Sequence, residues 1–284
     1  MTDIDLNAQL AASQAEVANL RAELEETNRG VVALYAELDE QAIQLKKATE
    51  LKSRFLAYMS HEFRTPVNSI RSIARLLIDR VDGPLTEEQD RQVRFIQTAA
   101  IDFSEMVDDL LDLAKIEAGR VEISPAWFEM VDLFSALRGM FRPMLDNQAV
   151  TLTFEEPHDL PRLYTDDRKL SQILRNFVSN ALKFTTAGEV RVSVQPVGED
   201  SVRFSVADTG IGIAKEHQAA VFDDFSQVDS PIQKRLRGTG LGLALCRQLA
   251  GLLGGSVGVE SELGKGSTFF VTLPRQLDMT ARQE

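Results

Sequence analysis

His61 is the residue of this chain best placed for nucleophilic chemistry, and it lies in the short stretch Ser60–Pro66. An imidazole ring has two nitrogens, so a neighbouring acid can take the proton from one and leave the other as a nucleophile. Glu62 follows directly and supplies such a carboxylate. The alternative is an ordinary surface histidine on an amphipathic helix.

Apolar residues around the histidine recur with a helical period and predict how it is presented. At about 100° per residue they fall within a sector of roughly 80°, which predicts one buried face of a helix. These residues are Phe55, Met59, Phe63, Pro66, Ile70, Ile73 and Leu77. On the same projection His61 points about 200° from the centre of that sector, so we expect it to face solvent.

Two side-chain amides and an ammonium group form a second candidate site. Asn176, Asn180 and Lys183 are spaced so that all three share one face of a helix. Amide oxygens suit Mg²⁺, which prefers oxygen ligands, and the lysine suits phosphate groups. A solvated polar stripe is the alternative for this segment.

An acid followed by glycines at the end of an apolar strand forms a third candidate site. Asp208 precedes Gly210 and Gly212 in this motif. The carboxylate can accept a hydrogen bond from a planar amine, while glycine lets the backbone approach a ring closely. The triplet Asp-Thr-Gly is also typical of aspartic proteases, but those need a second triplet, and Ile211 stands where Ser or Thr is usual.

A glycine motif that opens a helix predicts a phosphate site. Backbone N–H groups at a helix start can close on phosphates, and basic residues just upstream add positive charge. The motif consists of Gly238, Thr239, Gly240, Leu241 and Gly242, and the basic residues are Lys234, Arg235 and Arg237. Its spacing differs from the G-x-G-x-x-G dinucleotide motif, and Gly264–Thr268 lacks the residue order of a Walker A loop. A tight turn is the alternative for each glycine motif.

Composition and charge argue against several other classes of protein. The net charge of −12 argues against nucleic acid or an anionic membrane surface as the main partner. Cys246 is the only cysteine, so no internal disulfide forms, and His158 and His217 are isolated, so no metal cluster is predicted. No apolar run approaches the roughly 18 residues that span a bilayer, and no signal peptide opens the chain. We therefore expect a soluble, cytoplasmic protein without direct membrane insertion.

The N-terminal part of the chain predicts two long helices that position the histidine. A heptad pattern over residues 4–51 predicts a coiled coil that continues without a break into the helix of the histidine. An amphipathic helix lying on the chain's own core is the alternative. We expect the first helix to end near Ile78, and a second, capped at Thr86, to stop at Gly119. Because one hairpin cannot bury two apolar stripes alone, we expect a homodimer with a four-helix bundle.

The rest of the chain predicts mixed strands and helices without regular alternation. Such a mixture predicts an α+β domain built as a two-layer sandwich. We expect strands at Val121–Met130, Val150–Phe154, Val190–Val194, Val202–Ala207, 256–260 and 267–273, and helices at 131–146, 166–184 and 239–253.

In this order and spacing, the motifs resemble those of the bacterial sensor histidine kinases of two-component systems. The resemblance covers about residues 52–275 and implies a dimerisation and phosphoacceptor hairpin followed by a Bergerat-type ATP-binding domain. Arg237 departs from the glycine or proline that is common before the second glycine box. The matches are Ser60–Pro66 to the H-box, Asn176–Thr185 to the N-box, Asp208–Gly212 to the first glycine box, Phe222–Phe225 to the F-box, Gly238–Gly242 to the second glycine box and Gly264–Thr268 to the third.

The resemblance implies four segments. A coiled-coil signalling linker is expected at 1–51, and a dimerisation and histidine phosphotransfer domain at 52–120. A catalytic ATP-binding domain is expected at 121–276, followed by a tail at 277–284.

The resemblance also implies ATP and Mg²⁺ as cofactors. It implies that Asn180 holds Mg²⁺, that Asn176 and Lys183 lie at the phosphates, and that Asp208 reads the adenine amino group. The glycine boxes, Phe222, Phe225 and Thr268 complete the implied nucleotide site, with a mobile lid over about residues 222–238.

By the same resemblance, His61 attacks the γ-phosphorus of ATP and then passes the phosphoryl group to an aspartate of a separate response regulator. Glu62 and Thr65 match positions that support phosphotransfer and dephosphorylation of the partner. Two alternatives stay open. One is a phosphatase-dominant or silent regulatory scaffold, and the other is a different Bergerat-fold ATPase, such as a chaperone, a topoisomerase subunit or an anti-sigma serine kinase.

Overall fold

The computed structural model of the chain describes residues 3–145, 149–155, 162–224, 226 and 240–278. Within helices, the side chains of residues 3–13, 15, 18, 22, 53, 57 and 144 lie outside this description. The chain divides into two compact units, residues 1–55 and residues 56–284. Helix α1 (Asp3–Ile78) contributes to both units without a break, as its apolar pattern predicts.

The N-terminal unit is helical, and in the single chain the apolar residues of its heptad pattern, which we call the seam, are exposed to solvent. Seam residues with 44–71% of their surface exposed recur at heptad spacing along this helix. They are Val17, Leu20, Leu24, Val31, Leu34, Leu38 and Leu45. The helix predicted from the heptads is confirmed, and its pairing with a second strand stays a prediction.

Helix α2 (Glu87–Glu117) begins where the capping signal predicts. The Thr86 hydroxyl accepts the backbone N–H of Gln89 at 3.3 Å, and the Gln89 side chain accepts the backbone N–H of Thr86 at 2.9 Å. This reciprocal box satisfies two donors that the first turn of a helix leaves open. The predicted helical hairpin of α1 and α2 is therefore present.

In the single chain, α1 buries few of the residues that its apolar pattern predicts. Among its described side chains, the buried ones are Ser60, Val67 and Ala74, which recur every seven residues. Phe55 and Ile73 of the predicted buried face are 61% and 59% exposed in the single chain. Because that face is expected to be covered in a homodimer, its burial stays a prediction.

A five-stranded mixed sheet forms the second layer of the C-terminal part. Its order is β2-β4-β5-β7-β6, in which β2 and β4 are parallel and the other pairs are antiparallel. A separate antiparallel pair joins β1 to β3. The strands are β1 (Ala126–Phe128), β2 (Val150–Phe154), β3 (Leu163–Thr165), β4 (Gly188–Val197), β5 (Ser201–Asp208), β6 (Ser256–Glu262) and β7 (Gly266–Pro274).

Helices pack on one face of this sheet and share its core. Alternate residues of the strands, such as Phe204 and Val271, point into the core, where they meet Leu137, Phe177 and Leu245 from the helices. All five are fully buried or nearly so. The helices are α3 (Met130–Phe141), α4 (Asp167–Phe184), the short α5 (Lys215–Gln218) and α6 (Gly242–Leu252), and a 3₁₀ turn at Arg142–Met144 follows α3.

The predicted α+β class is confirmed, with differences in the irregular parts. The expected strand at Val121–Met130 shortens to the three residues of β1, and α3 ends earlier than predicted. Strand β3 and helix α5 were missed, because three or four residues are too few for a periodic pattern. Among the described residues, no helix is long and apolar enough to cross a membrane.

Candidate functional site

His61 lies on α1 with 78% of its side chain exposed, as the helical projection predicts. Its Nδ1 atom is 3.9 Å from Oε1 of Glu62, a distance suited to an ion pair but too long for a hydrogen bond. The Thr65 hydroxyl, one turn later, donates to the backbone carbonyl of His61 at 3.4 Å. The imidazole is therefore free to meet a reactant from solvent, with a carboxylate beside one of its nitrogens.

An ion pair between the two hairpin helices lies one turn after the histidine. The Nη2 atom of Arg64 donates to Oδ1 of Asp108 on α2 at 2.7 Å. Phe63 contacts Phe103 edge to face, with 5.6 Å between ring centroids. These two contacts join α1 to α2 beside the exposed imidazole.

Helix α4 presents the predicted polar face. Its N-cap is Asp166, whose Oδ1 accepts the backbone N–H groups of Arg168 and Lys169, each at 3.1 Å. Apolar residues such as Phe177 face the core with no exposed surface, whereas Asn176 and Asn180 are half-buried on another side. The amphipathic pattern of α4 therefore places both amides on the exposed side of the α+β core.

Lys183 continues this face and lies near acidic residues of the hairpin. Burial lowers the pKa of its ammonium group, while the negative charges of Asp102 and Glu105 on α2 act in the opposite direction. The described structure thus brings a predicted phosphate-binding lysine close to carboxylates.

The start of α6 closes against Asn176. A Cβ atom added to Gly242 would lie 3.1 Å from Oδ1 of Asn176, so the backbone of Gly242 comes close to this amide. Gly240 has a φ of +73°, which glycine adopts without strain. Leu241 was predicted to contact the cofactor, but it is 1% exposed and belongs to the hydrophobic core. The buried Leu241 therefore anchors the start of α6 in the core, and the backbone at Gly242 faces Asn176.

Six predicted site residues lie outside the described residues. They are Phe225, Lys234, Arg235, Arg237, Gly238 and Thr239. Most of the predicted lid at 222–238 falls there as well.

Asp208 ends β5 and is oriented by two backbone donors. Its Oδ1 atom accepts the N–H of Gly210 at 2.8 Å and the N–H of Ser267 at 3.3 Å. Burial raises the pKa of this carboxyl, and the two hydrogen bonds oppose that change. The Oδ2 atom takes part in neither bond, so it can accept a hydrogen bond from a ligand amine.

The glycines after Asp208 are required by the chain's own packing. A Cβ atom on Gly210 would lie 2.5 Å from the backbone oxygen of Phe184. Gly212 has a φ of +67°, and a Cβ atom there would collide with the backbone oxygen of Glu262. These contacts hold the loop after β5 against the end of α4 and the β6–β7 turn.

A hydroxyl network that the sequence did not predict holds the same loop. Ser261 Oγ accepts the N–H of Ile213 at 2.7 Å and lies 2.9 Å from the hydroxyl of Ser267. The Gln218 side chain donates to the backbone oxygens of Ile213 and Ser261, at 2.9 and 2.8 Å. The only signal in the sequence was Ser267 within the third glycine motif. These residues act behind Asp208 and fix the position of its carboxylate.

Thr268 and Phe222 occupy different environments near this loop. Thr268 is half-buried on β7, opposite Ala207 and thus beside the end of β5. Phe222 is 7% exposed, and its ring packs edge to face against Phe269 at 6.2 Å. Phe222, the first residue of the predicted lid, therefore belongs to the hydrophobic core.

Carboxylates of α2 reach the polar face of α4, which the motifs did not indicate. Oδ2 of Asp112 accepts a hydrogen bond from Nε2 of Gln172 at 2.9 Å. Oδ2 of Asp109 lies 3.8 Å from the position of a Cβ atom on Gly242, which places this carboxylate at the start of α6. The hairpin of α1 and α2 and the polar face of α4 are thus in direct contact.

The carboxyl of Asp109 has an unusual pKa because of this environment. Burial raises it from 3.8 to about 6, and the negative charges of Glu105, Asp112 and Asp108 add to the effect. The buried thiol of Cys246 on α6 is another titratable group near it.

The polar face suits a magnesium ion with bound phosphates better than a metal held by the protein alone. Among the described residues, no group of three His, Cys, Asp or Glu side chains could hold a metal ion. Mg²⁺ commonly takes only one or two protein oxygens and completes its shell with phosphates and water. The amide oxygens of Asn176 and Asn180 match that requirement.

Two family models match this chain in the order in which its domains occur. "His Kinase A (phospho-acceptor) domain" matches residues 51–119, which include His61. "Histidine kinase-, DNA gyrase B-, and HSP90-like ATPase" matches residues 165–277, which include α4 and Asp208. The chain belongs to the sensor histidine kinases.

Individual relatives agree with this assignment. "Autoinducer 2 sensor kinase/phosphatase LuxQ" of Vibrio parahaemolyticus is 37% identical over 237 residues, which cover 81% of this chain and 27% of that protein. "Circadian input-output histidine kinase CikA" of Synechococcus elongatus is 38% identical over 232 residues, covering 81% of this chain and 31% of the relative. This chain therefore spans about a quarter to a third of the length of these curated relatives.

A solved structure is similar over most of the chain. Full-length ShkA in complex with AMPPNP is 36% identical, with a TM-score of 0.63, and the match covers 77% of this chain and 45% of that one.

Proposed function

We propose that this chain is an ATP-dependent protein histidine kinase that phosphorylates itself on His61 and then phosphorylates an aspartate of a separate response regulator. The observation that carries the proposal is the exposed imidazole beside Glu62, on a hairpin that is covalently joined to a kinase-type ATPase domain. We assign residues 52–120 to dimerisation and phosphotransfer, 121–276 to ATP binding, and 1–51 to a coiled-coil linker.

The nucleotide is held by three surfaces of the ATPase domain. The Oδ2 atom of Asp208 accepts a hydrogen bond from the adenine amino group, because Oδ1 is already engaged by Gly210 and Ser267. The N–H groups at the start of α6 and the ammonium group of Lys183 bind phosphates. A non-hydrolysable ATP analogue in the similar ShkA structure supports nucleotide binding.

Asn180 would hold magnesium together with the phosphates, and Asn176 would lie beside them. When bound, the ion neutralises negative charge that develops on the phosphate oxygens. The protein's own contribution is to hold amide oxygens on a rigid helix whose opposite face is locked in the core.

Phosphoryl transfer uses the two nitrogens of His61 for different purposes. Since Nδ1 faces Glu62, the lone pair of Nε2 attacks the γ-phosphorus, and the bond to the β,γ-bridging oxygen breaks as ADP leaves. The new N–P bond leaves a positive charge on the ring until the Nδ1 proton passes to Glu62 or water. Positioning in line and charge neutralisation supply most of the rate enhancement.

A second step transfers the phosphoryl group from Nε2 to a carboxylate of the response regulator. The exposed imidazole is accessible to such a partner, and the family of phosphoacceptor domains supports this choice of partner. A homodimer covers the exposed apolar residues of both hairpin and coil, because a second copy offers the same stripes. The name of the relative LuxQ, a kinase and phosphatase, also supports a reverse activity in which Thr65, one turn after His61, assists loss of the partner's phosphate.

Incubation of the intact chain with γ-labelled ATP and magnesium tests the proposal. We expect an acid-labile, alkali-stable label that is lost in His61→Gln. His217→Gln is a matched control, since His217 lies on α5 of the ATPase domain, and it should retain the label. Label on His61→Gln at the normal rate, or on serine, would contradict the assignment.

A further inference from the structure

Four carboxylates on α2 form a row that faces the ATPase domain. We call Asp102, Glu105, Asp109 and Asp112 the α2 carboxylate row. Their spacing of three, four and three residues places them on one side of the helix. Asp108 lies at the edge of this side and is engaged by Arg64 of α1.

The row lies on the surface to which the phosphates of a nucleotide would bind. Asp112 accepts a hydrogen bond from Gln172 on α4, and Asp102 and Glu105 act electrostatically on Lys183 of the same helix. Asp109 reaches the start of α6, 3.8 Å from the position of a Cβ atom on Gly242. A row of carboxylates thus extends along the face that carries Asn176 and Lys183.

Carboxylates and phosphates are bound by the same features of a protein. The start of α6 carries partial positive charge and open N–H groups, which favour any anion. Lys183 attracts either kind of anion for the same reason. Two anionic groups cannot share these donors, because they repel each other and because the α2 side chains occupy part of the space.

We propose that the α2 carboxylate row and the phosphates of ATP compete for one surface, so that α2 must leave α4 and the start of α6 before ATP is fully bound. This inference rests on the proposed nucleotide site and adds its regulation. The docked hairpin is the nucleotide-free state, and any signal that moves α2 away raises the affinity for ATP. Conversely, binding of ATP weakens the contact of the hairpin that carries His61 with α4 and the start of α6.

Two substitutions weaken the competition by different means. Asp109→Asn removes the charge at the start of α6 and keeps the size of the side chain. Gln172→Ala removes the hydrogen bond to Asp112 and leaves every charge in place. Asp108→Asn is the control, because it removes a charge from the same helix at a residue that pairs with Arg64 of α1.

Calorimetry of the intact chain with magnesium and a non-hydrolysable ATP analogue is the first test. We expect Asp109→Asn and Gln172→Ala each to tighten binding by about three- to tenfold, since the first removes a charge that repels the phosphates and the second removes a hydrogen bond of the docked state. Asp108→Asn should change the affinity by less than about twofold. If only Asp109→Asn tightens binding, the effect is simple repulsion and the competition is refuted.

Hydrogen exchange of α2 is the second test and does not depend on any variant. In the wild-type chain, the analogue should speed the exchange of amides in residues 102–116, although ligands usually slow exchange where they bind. Unchanged or slower exchange there, with the analogue bound, would overturn the proposal. Absence of binding in every variant would instead contradict the nucleotide site itself, which separates the two failures.

Discussion

Replacement of Asp208 by asparagine isolates the hydrogen bond that is proposed to select adenine. In the wild-type chain, Oδ1 accepts the N–H groups of Gly210 and Ser267, at 2.8 and 3.3 Å. An asparagine carbonyl can accept both of these bonds, so its NH₂ group must take the position of Oδ2. There it points a donor at another donor, the adenine amino group.

The size of the effect follows from the group that is lost. A hydrogen bond to a charged acceptor contributes about 1.5–3 kcal/mol, which corresponds to roughly a ten- to hundredfold change in affinity. The fold should change little, because both backbone donors keep an acceptor and burial already disfavours the charged carboxyl. Affinity and stability should therefore separate in this variant.

Calorimetry with a non-hydrolysable ATP analogue measures the affinity, and thermal unfolding measures stability. Asp200→Asn serves as the control, since Asp200 is an exposed residue in the turn just before the other end of β5. We expect Asp208→Asn to lose ten- to hundredfold in affinity with nearly unchanged stability. An affinity equal to that of the control would place adenine elsewhere, and a large drop in unfolding temperature would mean that Asp208 serves the fold.

Three further predictions concern pH, backbone and coil. The folded-state pKa of Asp109 is raised from 3.8 to about 6, so its ionised form opposes folding above that range. Asp109→Asn should therefore stabilise the chain at pH 7.5. Calorimetric unfolding should show that this gain in stability vanishes as the pH falls towards 4. Gly212→Ala should lower the free energy of unfolding in denaturant by more than about 2 kcal/mol, because its φ is positive and the new Cβ atom collides with Glu262. Gly264→Ala, which also has a positive φ but open space around it, should cost about 1 kcal/mol. Equal costs would refute the close approach at Gly212. Deleting the seven residues Glu16–Ala22 keeps the heptad phase and should preserve the autophosphorylation rate, whereas deleting only four rotates the helix by about 40° and should change it; equal rates in two dimeric variants would leave the coil as a tether only.

Much of the fold could be predicted from local pattern, because helices and paired strands impose periods on the sequence. The continuous α1 and the capped start of α2 at Thr86 follow directly from such signals. The neighbour that covers the apolar face of α1 does not, since a helical projection ranks positions by hydrophobicity and cannot say which neighbour covers them. Within one chain, the small residue Ala74 is buried and the larger Ile73 is exposed.

The candidate site could be predicted where the residue type itself indicates the chemistry. The exposed His61 and the polar face of α4 lie where the motifs indicate. The support behind Asp208 was not predictable, because Ser261 and Gln218 are ordinary residues in sequence and join the loop only after β6 and α5 are placed. The roles of the residues in binding and catalysis stay predictions.

The α2 carboxylate row illustrates why long-range contacts escape motif analysis. On an isolated helix, acids beside apolar residues are typical of a solvated face, and nothing in their spacing names a partner. The contacts of these acids are with α4 and α6, which follow later in the chain. These helices present an amide at Gln172 and a helix start at Gly242. In this protein, that contact connects the helix hairpin bearing His61 to the surface proposed to bind ATP, so the occupancy of one affects the freedom of the other.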